Sequence, residues 1–270
     1  MKGEKAKIKD FTIALLLSGV ACALSACAGS TGTNIITQCI LPSDQSATLM
    51  GHWQSVPLPL AIHVGANFNS DEQAFIQAAA NTWNTFFNAS QTVTVLNSGN
   101  AGLTLSSNPR PSSICGAQPI VQNGNYSGQA VIYKDGSWPY SASPQTIALT
   151  TTCPVSSTIS STNPLPYFSM AAMELNYQNF FVTGKQIPDL QTIVTHEIGH
   201  LLGLGHSCEF NTKAGVPNCS TSGLSSDYQL ALMFPKFNFD PSGAGEIKRD
   251  LLSNDQGRSN CLYSGTSATP

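Results

Sequence analysis

The sequence predicts an α+β domain: a mixed, twisted sheet with two long helices, followed by a smaller irregular lobe. Three observations carry this. β-like runs and helical stretches come in the order strand, long helix, several strands, second helix. The first helical stretch has an apolar stripe, so it has a sheet to cover. From Gly203 onward Gly, Asn, Ser and Pro are frequent and periodic segments are few.

Leu60 to Val64 reads as the first strand. Ser70 opens a helix as its N-cap, with Gln73 three residues on in the capping-box position. Phe75, Ile76, Ala79, Trp83 and Phe86 recur at helical spacing and form the covering face. Thr92 to Leu96 and Leu103 to Ser106 alternate like strands. Gln129 to Lys134 and Thr146 to Thr151 are further β segments, with turn chemistry at Lys134-Asp135-Gly136-Ser137. Residues 153–166 are rich in Ser, Thr and Pro and read as loop, and Met170 to Leu175 reads as another strand. Asp189 is an N-cap for a helix running through Gln191 to about Leu202.

Composition points outside the cytoplasm. Of 270 residues 41% are hydrophobic but only 10% are charged, so uncharged polar residues must cover the surface. The net charge is −3; Lys2, Lys5, Lys7 and Lys9 against Glu4 and Asp10 put +2 in the first 26 residues and leave −5 on the rest. No basic run remains there, which excludes nucleic acid as an expected partner, and a monomer is expected. The four lysines followed by the apolar stretch Phe11 to Ala26 read as an export signal, too short to span a membrane comfortably. It ends in Leu24-Ser25-Ala26-Cys27, which resembles a bacterial lipobox, where cleavage precedes a lipidated Cys. Residues 1–26 are thus expected to be a lipoprotein signal peptide and 27–55 a tether and N-terminal segment. The chain would be lipid-anchored through Cys27 in the cell envelope, at the outer membrane in a Gram-negative cell because Ala28 follows. Ordinary cleavage near Ala26 or Ala28 would instead release it.

Of eight cysteines, Cys22 leaves with the signal and Cys27 takes the lipid. Cys39, Cys115, Cys153, Cys208, Cys219 and Cys261 remain, an even number that suggests three disulfides in an oxidising compartment. Sequence does not choose among the 15 pairings six cysteines allow. Cys208 with Cys219 is the simplest pair, because they bracket a short loop.

The chemistry lies at His196-Glu197-Ile-Gly-His200-Leu-Leu-Gly203-Leu-Gly-His206. Two His four residues apart project from one helix face and suit two ligands of a tetrahedral zinc. A third ligand on that helix could not reach the same metal. Gly203 lets the chain leave the helix in a left-handed conformation and bring His206 under it. Three neutral ligands leave one position open for water, the mark of a catalytic zinc. Glu197 is too close to His196 to be a fourth ligand; it is placed to take the water's proton and pass it to the leaving amine. At this composition the five fixed positions coincide by chance in roughly a few chains per million.

The pattern is similar to the signature of the metzincin zinc metallopeptidases. Ser207 after the third His resembles the matrixin branch, the matrix-metallopeptidase-like group. Ala231-Leu232-Met233-Phe234-Pro235 resembles the matrixin Met-turn, with Met233 as the floor below the zinc. Leu252-Ser253-Asn254-Asp255-Gln256-Gly257 and Leu262-Tyr263-Ser264-Gly265 look like the closing helix of such domains, with Ser253 and Gln256 as a capping box. The resemblance spans about residues 60–265. It implies a two-lobed catalytic domain at 56–265, with the N-lobe to about 203, the C-lobe over 204–265 and a tail at 266–270. It further implies one catalytic zinc and peptide or protein substrates. Met170 to Asn176 would lie near the upper rim of the cleft as its sheet-edge strand and pair with extended substrate, and residues after Met233 would wall a side-chain pocket.

Some features depart from the family pattern. Twenty-six residues separate His206 from Met233, a long interval for a compact matrixin, and Cys208 and Cys219 fall in it. Pro235 stands two positions after Met233, so no switching Tyr ligand is expected. Cys115-Gly116 faintly resembles a cysteine switch but lies inside the domain, so a disulfide is the expected role. Asp135-Gly136 is the one stretch considered for structural calcium, and a plain turn is preferred. His52 and His63 are read as surface or core residues. The expected function is zinc-dependent endopeptidase activity with Glu197 as general base. The alternatives are a non-catalytic surface binding module that keeps the fold and a zinc hydrolase with a Glu as third ligand. Intact Glu197 argues against the first, and His206 suits the third-ligand role better than Glu209.

Overall fold

The computed structural model describes residues 35–53, 60–91, 96–97, 104–106, 115, 129–155 and 164–263. The export signal and the lipobox at Cys27 lie outside them. A 3-10 turn at Ser43–Gln45 precedes β1 (Leu60–Gly65), α1 (Ser70–Gln91), β2 (Leu96–Asn97), β3 (Thr104–Ser106), β4 (Gln129–Asp135), β5 (Ala148–Val155) and β6 (Tyr167–Asn176). The helices α2 (Leu190–Leu202), α3 (Ser226–Leu230) and α4 (Ser253–Tyr263) follow. The sheet runs β2-β1-β4-β6-β5, and β3 also pairs with β1. All pairings are parallel except β5 with β6, so the sheet is mixed, as expected.

Period-two alternation sorts the strand residues. Ala130, Ile132, Ala171, Met173 and Leu175 join the main core with α1 and α2, while Val131, Tyr133, Met170 and Ala172 form a second cluster with Cys153. On α1, Ile76, Ala79, Trp83, Phe86 and Phe87 are buried. Phe75, expected on that face, is 39% exposed at the rim of the stripe, with the Arg249 guanidinium 5.9 Å from its ring centre. Two indoles tie the core to α2: Trp83 Nε1 donates to the Thr195 carbonyl and Trp53 Nε1 to that of Leu201, both at 2.8 Å.

Several sequence expectations shift. The capping box of α1 lies one residue earlier. Asn69 Oδ1 accepts from Asp71 N and Glu72 N, while Glu72 Oε2 accepts from Asn69 N. Gln73 instead donates to the Phe68 carbonyl. On α4 the acidic side chain is again the one used. Asp255 Oδ2 accepts from Leu252 N, whereas Gln256 accepts from Ile36 N and donates to the Leu251 carbonyl. Asp189 caps α2 as expected, Oδ1 accepting from Thr192 N at 2.9 Å. Cys153–Val155, read as loop, continues β5, while 156–163 lies outside the described residues. Of Thr92–Leu96 only Leu96 is described, in β2. Met170–Asn176 is no edge: β6 lies between β4 and β5 and is buried through most of its length. The edge beside the cleft is β5. The Asp135-Gly136 stretch is a turn in which Asp135 Oδ1 accepts from Ser137 N.

All six remaining cysteines pair, as Cys39–Cys261, Cys115–Cys153 and Cys208–Cys219. The first fastens residues 35–53 to α4. That strap runs on past the zinc-motif loop, with Met50 N donating to the Gly203 carbonyl and Gly205 N to that of Thr48.

Candidate active site

His196, Glu197 and His200 sit on α2, whose N-terminus is fixed by the Asp189 cap and by Arg249, which donates to both Asp189 carboxylate oxygens. The helix stops at Gly203, at φ 110° and ψ 8°, where the Gly203 and Leu204 N–H groups fold back to the carbonyls of His200 and Gly199. The left-handed residue turns the chain so that His206 returns beneath α2. A Cβ at Gly203 would collide with the Gly51 carbonyl oxygen of the strap, so glycine is required twice over. His196, His200 and His206 bring their ligand atoms within 4.8 Å of one another.

The ring partners decide the tautomers. His196 Nδ1 faces the Leu232 carbonyl and His200 Nδ1 the Leu204 carbonyl, each at 2.7 Å; His206 Nδ1 faces Glu209 Oε1 at 3.0 Å. These oxygens only accept, so each Nδ1 carries a proton and each Nε2 is the atom left for a metal. His200 Nε2 and His206 Nε2 lie 3.2 Å apart, a spacing that suits two ligands of one cation. The distance is close to the roughly 3.3 Å between two nitrogens of a tetrahedral zinc with normal bond lengths. Burial lowers the His196 pKa to about 3 and that of His200 well below the usual imidazole range, which keeps both rings neutral for a metal. The residues fit zinc.

Glu197 points to the same space. Burial raises its carboxyl to about 7, against the opposing hydrogen bond from Thr150. Thr150 Oγ1 donates to Glu197 Oε2 at 2.7 Å, from the edge strand β5. The sequence carried no sign of Thr150, because its role exists only when β5 lies alongside α2. Met233 is fully buried and its sulfur packs directly on Gly199, where a side chain would overlap it. Asp255 holds the turn below, accepting from Leu232 N at 2.8 Å and Met233 N at 3.1 Å, so Leu232 keeps its carbonyl on His196. Arg258, wholly buried, donates to the Gly205 carbonyl, and Gln45 Nε2 donates to that of Ser207. In sequence Asp255 shows only as part of the closing helix, and no motif marks Arg258 or Gln45.

Glu209 stands outside the cluster of ligand atoms, on the far side of the His206 ring. Its hydrogen bond to His206 lowers its own pKa, against burial. His52 packs its ring against Tyr167 and Tyr263, His63 is half-buried on β1, and Cys115 is in its disulfide; none belongs to the cluster. The three His and Glu197 line a cleft of about 790 Å³. One wall is Gln145 to Thr150, another Pro235, Lys236, Phe237 and Phe239, and the strap contributes Ala47, Thr48 and Met50.

The matrixin family model matches residues 44–213, more than half of the chain and including the whole zinc motif. The chain belongs to the matrixin family. This matrixin is accordingly a zinc metallopeptidase, with a metal-competent triad at His196, His200 and His206. Among solved structures it is similar to high choriolytic enzyme 1, a hatching-enzyme zinc protease of the medaka Oryzias latipes. Identity is 12%, coverage 79% of this chain and 94% of that one, and the TM-score 0.35, a likeness too low to bear on the site. No curated protein matches the matrixin in sequence.

Proposed function

We propose that this matrixin is an endopeptidase that cuts within extended protein chains, with His196, His200 and His206 as zinc ligands and Glu197 as general base. The observation that carries this is the convergence of three imidazole nitrogens beside a buried carboxylate in an open cleft. Bound zinc acidifies water and polarises a substrate carbonyl. Thr150 occupies one oxygen of Glu197, so the other takes the proton of the attacking water and returns it to the departing amine.

The edge strand β5 is antiparallel to β6 and carries Thr150 into the cleft wall, so an extended substrate can add to its outer edge through main-chain hydrogen bonds. Phe237 and Phe239 also line the cleft and give it an apolar surface for a substrate side chain. Purified protein should cleave a broad peptide library at internal bonds, lose this with a chelator and regain it with added zinc. Cleavage that persists under chelation would reject the reading.

The Leu24-Ser25-Ala26-Cys27 sequence supports a lipid-anchored enzyme of the cell envelope. Natively expressed protein should partition with membranes and carry an acylated N-terminus at Cys27, and Cys27→Ser should be released or left unprocessed. An unmodified mature N-terminus at another residue, read by mass spectrometry, would refute the anchor.

A further inference from the structure

The three imidazoles are not held alike. Main-chain carbonyls orient His196 and His200, both fixed on α2, whereas His206 lies on the loop beyond Gly203 and its ring faces a carboxylate. From this asymmetry we infer that Glu209 is a positioning residue that orients His206 and sets the zinc affinity of the site, an inference that rests on the zinc metallopeptidase reading.

Glu209 sits on a purpose-built platform. Cys208 is fully buried and bonded to Cys219, closing the loop that follows the zinc motif. Within it Glu209 N donates to the Pro217 carbonyl and Cys219 N donates to the Glu209 carbonyl, both at 2.9 Å. Ala47 N donates to the Gly215 carbonyl and fastens the loop to the strap. The main chain of Glu209 is therefore fixed, three residues beyond the ring it holds. The side chain of His206 is 27% exposed, and among the described residues Glu209 Oε1 is the hydrogen-bond partner of its Nδ1, the contact that fixes the tautomer. A carboxylate at Nδ1 also makes the imidazole a stronger donor at Nε2 than a neutral carbonyl does. The long interval between His206 and Met233 thus has a use: part of it presents Glu209.

The test is zinc competition against a chromogenic chelator, on the full chain, for wild type, Glu209→Ala and Glu209→Gln, with thermal unfolding of each metal-free protein alongside. Wild type should bind one zinc. Glu209→Ala should weaken binding about 10- to 100-fold, and Glu209→Gln, which keeps an acceptor oxygen without the charge, by only a few-fold. Metal-free stabilities of all three should agree within about 2 °C, which separates positioning of the ligand from support of the fold. An Ala variant that binds zinc within twofold of wild type overturns the inference and leaves the metallopeptidase reading standing. So does a Gln variant unchanged from wild type, should the Ala variant fail to fold. Wild type that takes up no zinc overturns both.

Discussion

Glu197→Gln should bind zinc as wild type does and lose at least about a hundredfold in kcat/KM for peptide hydrolysis. General acid–base groups contribute on the order of 10² to 10⁴ in rate, and an amide cannot accept the proton. The substitution is nearly isosteric, and Thr150 Oγ1 can donate to an amide oxygen as it does to Glu197 Oε2. The fold should therefore survive. A stability measurement adds a sign. In metal-free protein the folded-state pKa of about 7 lies above the unfolded value of about 4.3, so between them the folded state holds the extra proton. Stability contributed by Glu197 is therefore present in acid and falls as pH rises through that window, and the Gln variant should lack this slope. An unchanged rate in the variant, with zinc bound, would remove Glu197 from the chemistry and favour a binding module.

Gly203→Ala should be the most damaging single methyl in the site. The residue adopts φ 110°, where an L side chain is strained, and the added carbon meets the Gly51 carbonyl oxygen of the strap. Neither side can yield easily, because Met50 N donates to the Gly203 carbonyl next to that contact. A loss of about 3–5 kcal/mol is expected, which for a chain of this size lowers Tm by roughly 10 °C. Zinc affinity should fall with it, since Gly203 leads to His206. Calorimetry of metal-free and zinc-loaded protein measures both, and a Tm within about 1 °C of wild type would show that the loop leaves the helix by another route.

The site was legible in sequence because its spacing is local. His196, Glu197 and His200 share one helix face, and Gly203 and His206 follow within two turns. The α+β order was legible for the same reason, through helical and alternating periods. The boundaries of the caps were not. Asn69-x-x-Glu72 and Ser70-x-x-Gln73 both satisfy the capping pattern, and the choice depends on where the chain leaves β1. On α4, Asp255 is claimed by Leu252, Leu232 and Met233 together, a demand set by a turn 22 residues upstream. The interior place of β6 is not legible, because edge and interior positions depend on strand order, which residues 170–176 do not encode. Nothing in the sequence of 35–53 announces that Gln45, Thr48 and Met50 brace the loop bearing His206, since that strap has no period and makes its bonds with residues some 150 positions away.

The central claim is that three histidines, one of them reached through Gly203, hold a catalytic zinc. Elemental analysis of undialysed wild type and His206→Ala tests it most directly. The structure predicts close to one zinc per wild-type chain and much weaker retention in the variant. Full zinc occupancy in His206→Ala would contradict it and take His206 out of the site.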